Sequence, residues 1–167
     1  MNSTFTKSRL SPDIVVQSFE NAILAVLSSI SDTDISIVDR QSYPKCIPST
    51  DYYGEAILDG VLKGQVCVAI NEPAARFISA KLAMAQPPEI DEDVTVDGVK
   101  ETLNQICGKF RTILGEFEGK IEFSIPAVSQ ETVKLLPGIY DKRLTQLTVV
   151  KLNNHHVSIL LLASYQA

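Results

Sequence analysis

The chain has 167 residues, 45% of them hydrophobic and 21% charged, which is enough for one domain with a sizeable core. A net charge of -5 and the lack of a basic stripe exclude sequence-independent nucleic-acid binding, which needs clustered Lys and Arg to displace counterions from phosphates. The segment MNSTFTKSRL lacks a signal-peptide core, and no uninterrupted apolar run approaches the ~20 residues of a membrane span. A cytoplasmic setting without a membrane span is therefore expected.

Residues 1–9 read as a tail and 10–165 as a single domain. The first predicted helix runs from Pro12 to Ile30. Ser11 can cap it, Pro12 suits its first turn and Asp13 favours the positive end of the helix dipole. Val15, Phe19, Ala22, Ile23, Val26, Leu27 and Ile30 form an apolar stripe that marks it as a packing helix. Ile35 to Val38 reads as a short strand, and the proline-punctuated loop from Tyr43 to Pro48 reads as mobile.

From Tyr52 to Ile70 the pattern predicts a hairpin turning near Leu62 to Gly64. Its glycines 54, 60 and 64 do not form a phosphate-cradling loop, because Gln65 and Val66 open a strand where a P-loop needs a lysine, a hydroxyl residue and a helix. Asn71 can cap a second helix reaching about Met84. The acidic segment Gln86 to Asp93 then breaks it. Its spacing lacks the glycine and terminal glutamate of a calcium-binding EF-hand, so it reads as a linker whose last acids sit at the start of the next helix.

That next helix, Asp97 to Gly115, has two faces. Val99, Leu103, Ile106, Cys107, Phe110, Ile113 and Leu114 gather on one side. Asp97, Glu101, Asn104, Gly108 and Arg111 fall on the other, where Glu101 and Asn104 project side by side. Glycine inside a helix costs roughly 1 kcal/mol relative to alanine, and no core neighbour obviously demands Gly108. Two readings stand: a solvated face with an incidental glycine, or low ground beside an acid and an amide that suits close approach by another molecule.

Gly115 is read as the terminator, Lys120 to Ile125 as a strand and Pro126 as the end of its ladder. The segment from about Tyr140 to Tyr165 predicts a long hairpin turning at Asn153-Asn154, since Asn tolerates the left-handed conformation. His155 and His156 would point to opposite faces of that strand and cannot share a metal there. Cys46, Cys67 and Cys107 form no CxxC pair. Cys107 sits on a buried stripe, Cys46 is the one to suspect of exposure, and neither has a base nearby in sequence. The sum is an α/β (α+β) domain of two layers: an antiparallel sheet of about six strands with the Pro12 and Asp97 helices side by side on one face, the Asn71 helix capping elsewhere.

Glu101-Thr-Leu-Asn104, followed by Ile106 and Gly108, resembles the ExxN signature of the CheC/CheX/FliY chemotaxis phosphatases. A single motif is similar to the CheX branch. Phe123-Ser-Ile-Pro-Ala-Val128 resembles the family's strand ending in a Ser-Ile-Pro-like turn, and the element order fits over roughly residues 10 to 165. Many relatives carry a small residue and an acid just before the motif and an asparagine after its glycine, where this chain has Lys100 and Lys109.

The resemblance implies a CheC-like fold, a homodimer formed through sheet edges, and hydrolysis of the aspartyl phosphate on a response-regulator receiver such as CheY. In that reaction Asn104 would orient the attacking water, as glutamine does in GTPases, and Glu101 would reach a receiver lysine. Lys100, Gly108 and Arg111 would lie at the interface. Mg²⁺ would sit on the receiver, and this chain would need no cofactor or metal ligands of its own. A receiver-binding adaptor without catalysis, and a dimeric scaffold or motor-switch component, are the other functions open. An enzyme of another kind ranks last, with no nucleophile beside a base, no metal cluster and no paired carboxylates.

Overall fold

The computed structural model describes residues 10–42, 44, 50–117, 120–130 and 144–165. The predicted tail, Cys46, nearly all of the Tyr43 to Pro48 loop and the first residues of the Tyr140 hairpin lie outside them.

Helix α1 spans Pro12–Ser31. Ser11 Oγ accepts the Ile14 N–H at 3.3 Å, and Asp32, at φ 53°, ends the helix with its N–H on the Ser28 carbonyl. Its apolar stripe is buried as predicted, from Val15 through Ile30. By length and composition alone α1 could cross a membrane, although Asp13, Gln17, Glu20 and Asn21 interrupt its apolar run; here its stripe is buried in the core. Helix α2, Glu72–Ala83, begins where Asn71 Oδ1 accepts the Ala74 N–H at 3.0 Å and stops at Met84, φ 54°.

Helix α3 spans Glu92–Leu114 and so starts before the predicted Asp97. The reason is Asp91, whose carboxylate accepts the Val94 N–H at 2.9 Å, with Glu92 and Asp93 stabilised in the first turn by the helix dipole. The acids of the predicted linker thus open α3, after a single 3-10 turn at Pro87–Glu89.

The strands are β1 Ile35–Ser42, β2 Tyr52–Gly60, β3 Leu62–Ile70, β4 Ile121–Phe123, β5 Ala127–Ser129, β6 Leu144–Leu152 and β7 His155–Tyr165. All pair antiparallel in the order β1-β6-β7-β3-β2-β4, with β5 following β4 along the same edge of β2. Among the described residues seven strands stand where about six are expected, because Ser124, Ile125 and Pro126 interrupt the predicted Lys120 to Ile125 strand and the ladder resumes at Ala127. Strand β1 outruns its predicted end at Val38: a bulge between Ile37 and Asp39 lets the polar residues through Ser42 keep pairing with β6. The β2–β3 turn falls at Gly60-Val61 rather than near Leu62 to Gly64. Gly60 has φ 127° and a Cβ there would press on the Lys120 carbonyl and stand 3.1 Å from Ile121 Cα, so no other residue fits.

All three helices share one face of the sheet, and a single buried cluster joins their stripes to the strands' inward residues. The expectation that α2 caps elsewhere is therefore corrected. Helix α2 lies against α3, where Ser79 Oγ donates to the Thr95 carbonyl at 3.1 Å and Gly98 lets the two backbones approach. On the opposite face a small cluster holds Tyr53, Cys67, Ala69, Leu147 and Leu160, with the Tyr53 hydroxyl 2.7 Å from Cys67 Sγ. Burial pushes the Cys67 and Cys107 thiols up to about 12, which leaves both protonated packing groups. At the last hairpin Asn153 takes the left-handed conformation, φ 52°; His155 packs against the Phe77 ring at 5.2 Å and His156 is exposed.

Candidate functional site

Packing determines which way α3 faces. Val99, Leu103, Ile106, Cys107, Phe110 and Leu114 are buried and Ile113 is half-buried, with the Phe110 ring edge-on to Phe19 at 5.3 Å. A second flank, Thr95, Gly98 and Thr102, is buried as well, and Gly98 meets Ser79 of α2. With two sides of the helix occupied, the row Asp97, Glu101, Asn104 and Arg111 is left exposed.

Among the described residues, a depression of about 460 Å³ is lined by Asp97, Lys100, Glu101, Asn104, Ile125 and Pro126. Three of the predicted site residues, Lys100, Glu101 and Asn104, therefore meet in one place. The Glu101 carboxylate accepts Gln105 Nε2 at 2.8 Å, one helical turn along. The Asn104 side chain makes no hydrogen bond to any described residue, so both its amide donor and its carbonyl acceptor are available to something from outside. A carboxamide in that condition can hold a water by accepting one of its protons, with no change of charge over the physiological pH range.

Gly108 and Arg111 do not line the depression. A Cβ placed on Gly108 would meet nothing within 4 Å, so the helix surface there is open. Arg111 Nη1 pairs with Glu122 of β4 at 3.2 Å, with both side chains exposed; such a pair is worth little and is easily traded for a partner's carboxylate. Among the described residues no group of three or more His, Cys, Asp and Glu side chains could hold a metal ion.

Ile125 and Pro126 complete the depression, and periodicity did not single them out as site residues. They were read as the end of a strand; Pro126 was the available signal, since proline cannot continue a ladder. Instead the chain crosses from β4 to β5 in three residues. Ser124 is pinned to β2 on both sides of Ile57, donating its N–H to the Ile57 carbonyl at 2.9 Å and accepting the Ile57 N–H on Oγ at 2.8 Å. Pro126 is buried and Ile125 stands 91% exposed.

Residues 52–136, half of the chain and inclusive of all of α3, match the family model described as chemotaxis phosphatase CheX. Comparison with curated protein sequences finds no match. Among solved structures, a CheC-like superfamily protein from Shewanella superposes with a TM-score of 0.77 at 17% identity, over 90% of this chain and 97% of that one. The CheX–CheY–BeF3–Mg²⁺ complex from Borrelia burgdorferi gives a TM-score of 0.68 at 16% identity, covering 90% and 97%. The FliM–SpeE complex from Helicobacter pylori gives 0.62 at 11%, covering 94% and 90%. At these identities the superpositions establish a shared fold.

Proposed function

This chain belongs to the CheX chemotaxis phosphatase family, and from that premise we propose that it hydrolyses the aspartyl phosphate of a CheY-type receiver domain. An acyl phosphate is already reactive, so an auxiliary protein mainly has to place a water in line with phosphorus and hold the partner still. The observation that carries the reading is the exposed, unpartnered Asn104 amide beside Glu101 in an open depression. Asn104 orients the water. Glu101 leaves Gln105 for a receiver lysine, exchanging a hydrogen bond from a neutral amide for an ion pair with a cation. Mg²⁺ belongs to the receiver, as the composition of the Borrelia complex supports. Such a receiver would be met in the cytoplasm.

The test is the decay of each phosphorylated chemotaxis receiver of the same genome, with and without this chain. Faster decay supports the phosphatase. Binding to a BeF3–Mg²⁺-loaded receiver, whose beryllofluoride stands in for the phosphoryl group, without faster decay would leave an adaptor in its place.

Gly108 serves this reading as clearance. Gly108→Ala is expected to raise stability by up to about 1 kcal/mol through helix propensity, since its Cβ meets nothing in the free chain. Gly108→Arg should leave the fold intact yet weaken receiver binding by tenfold or so. Urea melts and receiver titration read the two effects separately; undiminished binding by Gly108→Arg would place the interface elsewhere.

The same reading includes a homodimer joined at a sheet edge. Strand β1 pairs only with β6 among the described strands, which leaves its other edge for a second copy once the Arg40 N–H is released from the Asp39 carboxylate. Sedimentation of the chain with Asp39→Pro on β1 is expected to report a monomer where the native chain is a dimer; a native monomer would exclude this arrangement.

A further inference from the structure

Scattered hydrophobic side chains on a protein surface need no explanation. Ile125 differs in how it is held. The strands that flank its three-residue crossing, β4 and β5, both pair with β2, Ser124 makes two hydrogen bonds to Ile57, and Pro126 is buried with φ limited by its ring. The side chain cannot swing back into the core without breaking one of these attachments. It is presented 91% exposed at the rim of the depression that holds Glu101 and Asn104. Met84 is as exposed, but it ends α2 and does not line this depression.

We propose that Ile125 is an apolar anchor for the docked receiver, seated in a hollow of the receiver surface beside its phosphorylated aspartate, and that it determines affinity and partner choice while Asn104 determines rate. This rests on the receiver-phosphatase reading above. The surroundings fit a folded protein partner: Ile125 shares the depression with Asp97, Lys100 and Glu101 of α3, so whatever docks here meets an apolar side chain next to charged ones, as a protein surface can. A lipid surface would meet two carboxylates here. The backbone that carries Ile125 is already ordered by these attachments, so docking has only the side-chain torsions left to fix. Burying an isoleucine corresponds to about ten- to a hundredfold in an equilibrium constant.

The experiment uses the whole chain and compares wild type with Ile125→Ser and Ile125→Val. Binding is titrated with the BeF3–Mg²⁺-loaded receiver on which wild type acts, and kcat and KM are measured from phosphate loss. Ile125→Ser is expected to raise Kd and KM by about tenfold or more with kcat within about twofold of wild type, and Ile125→Val to stay close to wild type. Circular dichroism of Ile125→Ser should match wild type, because the side chain packs against nothing it would leave empty. Wild-type affinity in Ile125→Ser, or a loss confined to kcat, overturns the anchor while leaving the phosphatase standing. A change of oligomeric state with unchanged KM assigns Ile125 to a contact between copies and overturns it too. If wild type neither binds nor accelerates any receiver of the genome, the phosphatase reading itself fails and takes this proposal with it.

Discussion

Replacing Asn104 with alanine is expected to remove the acceleration of receiver dephosphorylation, a loss of about a hundredfold or more in kcat, while receiver affinity stays within about threefold. The asymmetry follows from what the side chain touches. The Asn104 side chain hydrogen-bonds to no described residue and is exposed, so its removal leaves no buried group unpaired and no cavity. Alanine is the better helix former, so the free chain should be as stable as before or slightly more so. Nothing else in the depression replaces the carboxamide: Asp97 and Glu101 are acids, Lys100 carries no acceptor, and Ile125 and Pro126 offer no side-chain hydrogen bond. Single-turnover decay of the phosphorylated receiver at saturating protein separates this from a binding defect. Unchanged phosphate loss with Asn104→Ala would sink the water-positioning mechanism. Glu101→Ala is the useful contrast, because a docking group should be felt in KM as well as in kcat.

The largest effect on stability is expected away from that face, at Gly98. A Cβ there would lie 2.5 Å from Ser79 Cβ and 2.8 Å from Ser79 Cα, closer than carbon atoms pack. The second of these is backbone, so rotating the serine cannot relieve it. Gly98→Val should destabilise the chain by about 3 kcal/mol or more as α2 and α3 are forced apart, even though valine is the better helix former. The shift of α3 also displaces Glu101, so kcat should fall in whatever fraction remains folded. Urea midpoints for Gly98→Ala, Gly98→Val and Gly98→Ala with Ser79→Gly measure it. The double variant should recover only part of the Gly98→Ala loss, because the 2.8 Å approach to the residue 79 Cα remains and the Ser79–Thr95 hydrogen bond is lost; an unperturbed Gly98→Val would mean that the α2–α3 contact is looser than it is here.

Why the sequence led to Glu101 and Asn104 yet passed over Gly98 follows from the kinds of signal available. Apolar periodicity located all three helices, and caps at Ser11 and Asn71 placed two of their starts. The outward row of α3 was legible because it is the complement of a strong apolar stripe. The second buried flank, Thr95, Gly98 and Thr102, was not, since small and hydroxyl residues look the same whether they face water or a close helix. For the same reason α2 was put in the wrong place. Strand β1 was cut short because Asp39 to Ser42 are held by backbone pairing at an edge, which leaves no hydrophobic trace. The Ser-Ile-Pro turn was visible as a resemblance, but the place of Ile125 beside Glu101 and Asn104 was not, because a three-residue crossing between two short strands on one neighbour is a tertiary fact: Leu58 pairs with Phe123 and Glu55 with Ala127.

The order of the sheet also bears on how this molecule comes off the ribosome. Helix α1 leans on β1 and β6, and β1 has no strand neighbour until β6 arrives, since Ile35 pairs with Leu152. More than a hundred residues separate the end of α1 at Ser31 from the start of β6 at Leu144. At translation rates of about 5 to 20 residues per second, that interval lasts on the order of ten seconds. For that time the most apolar helix of the chain exists without the strand that will cover part of it, exposed to whatever hydrophobic surfaces the nascent chain encounters.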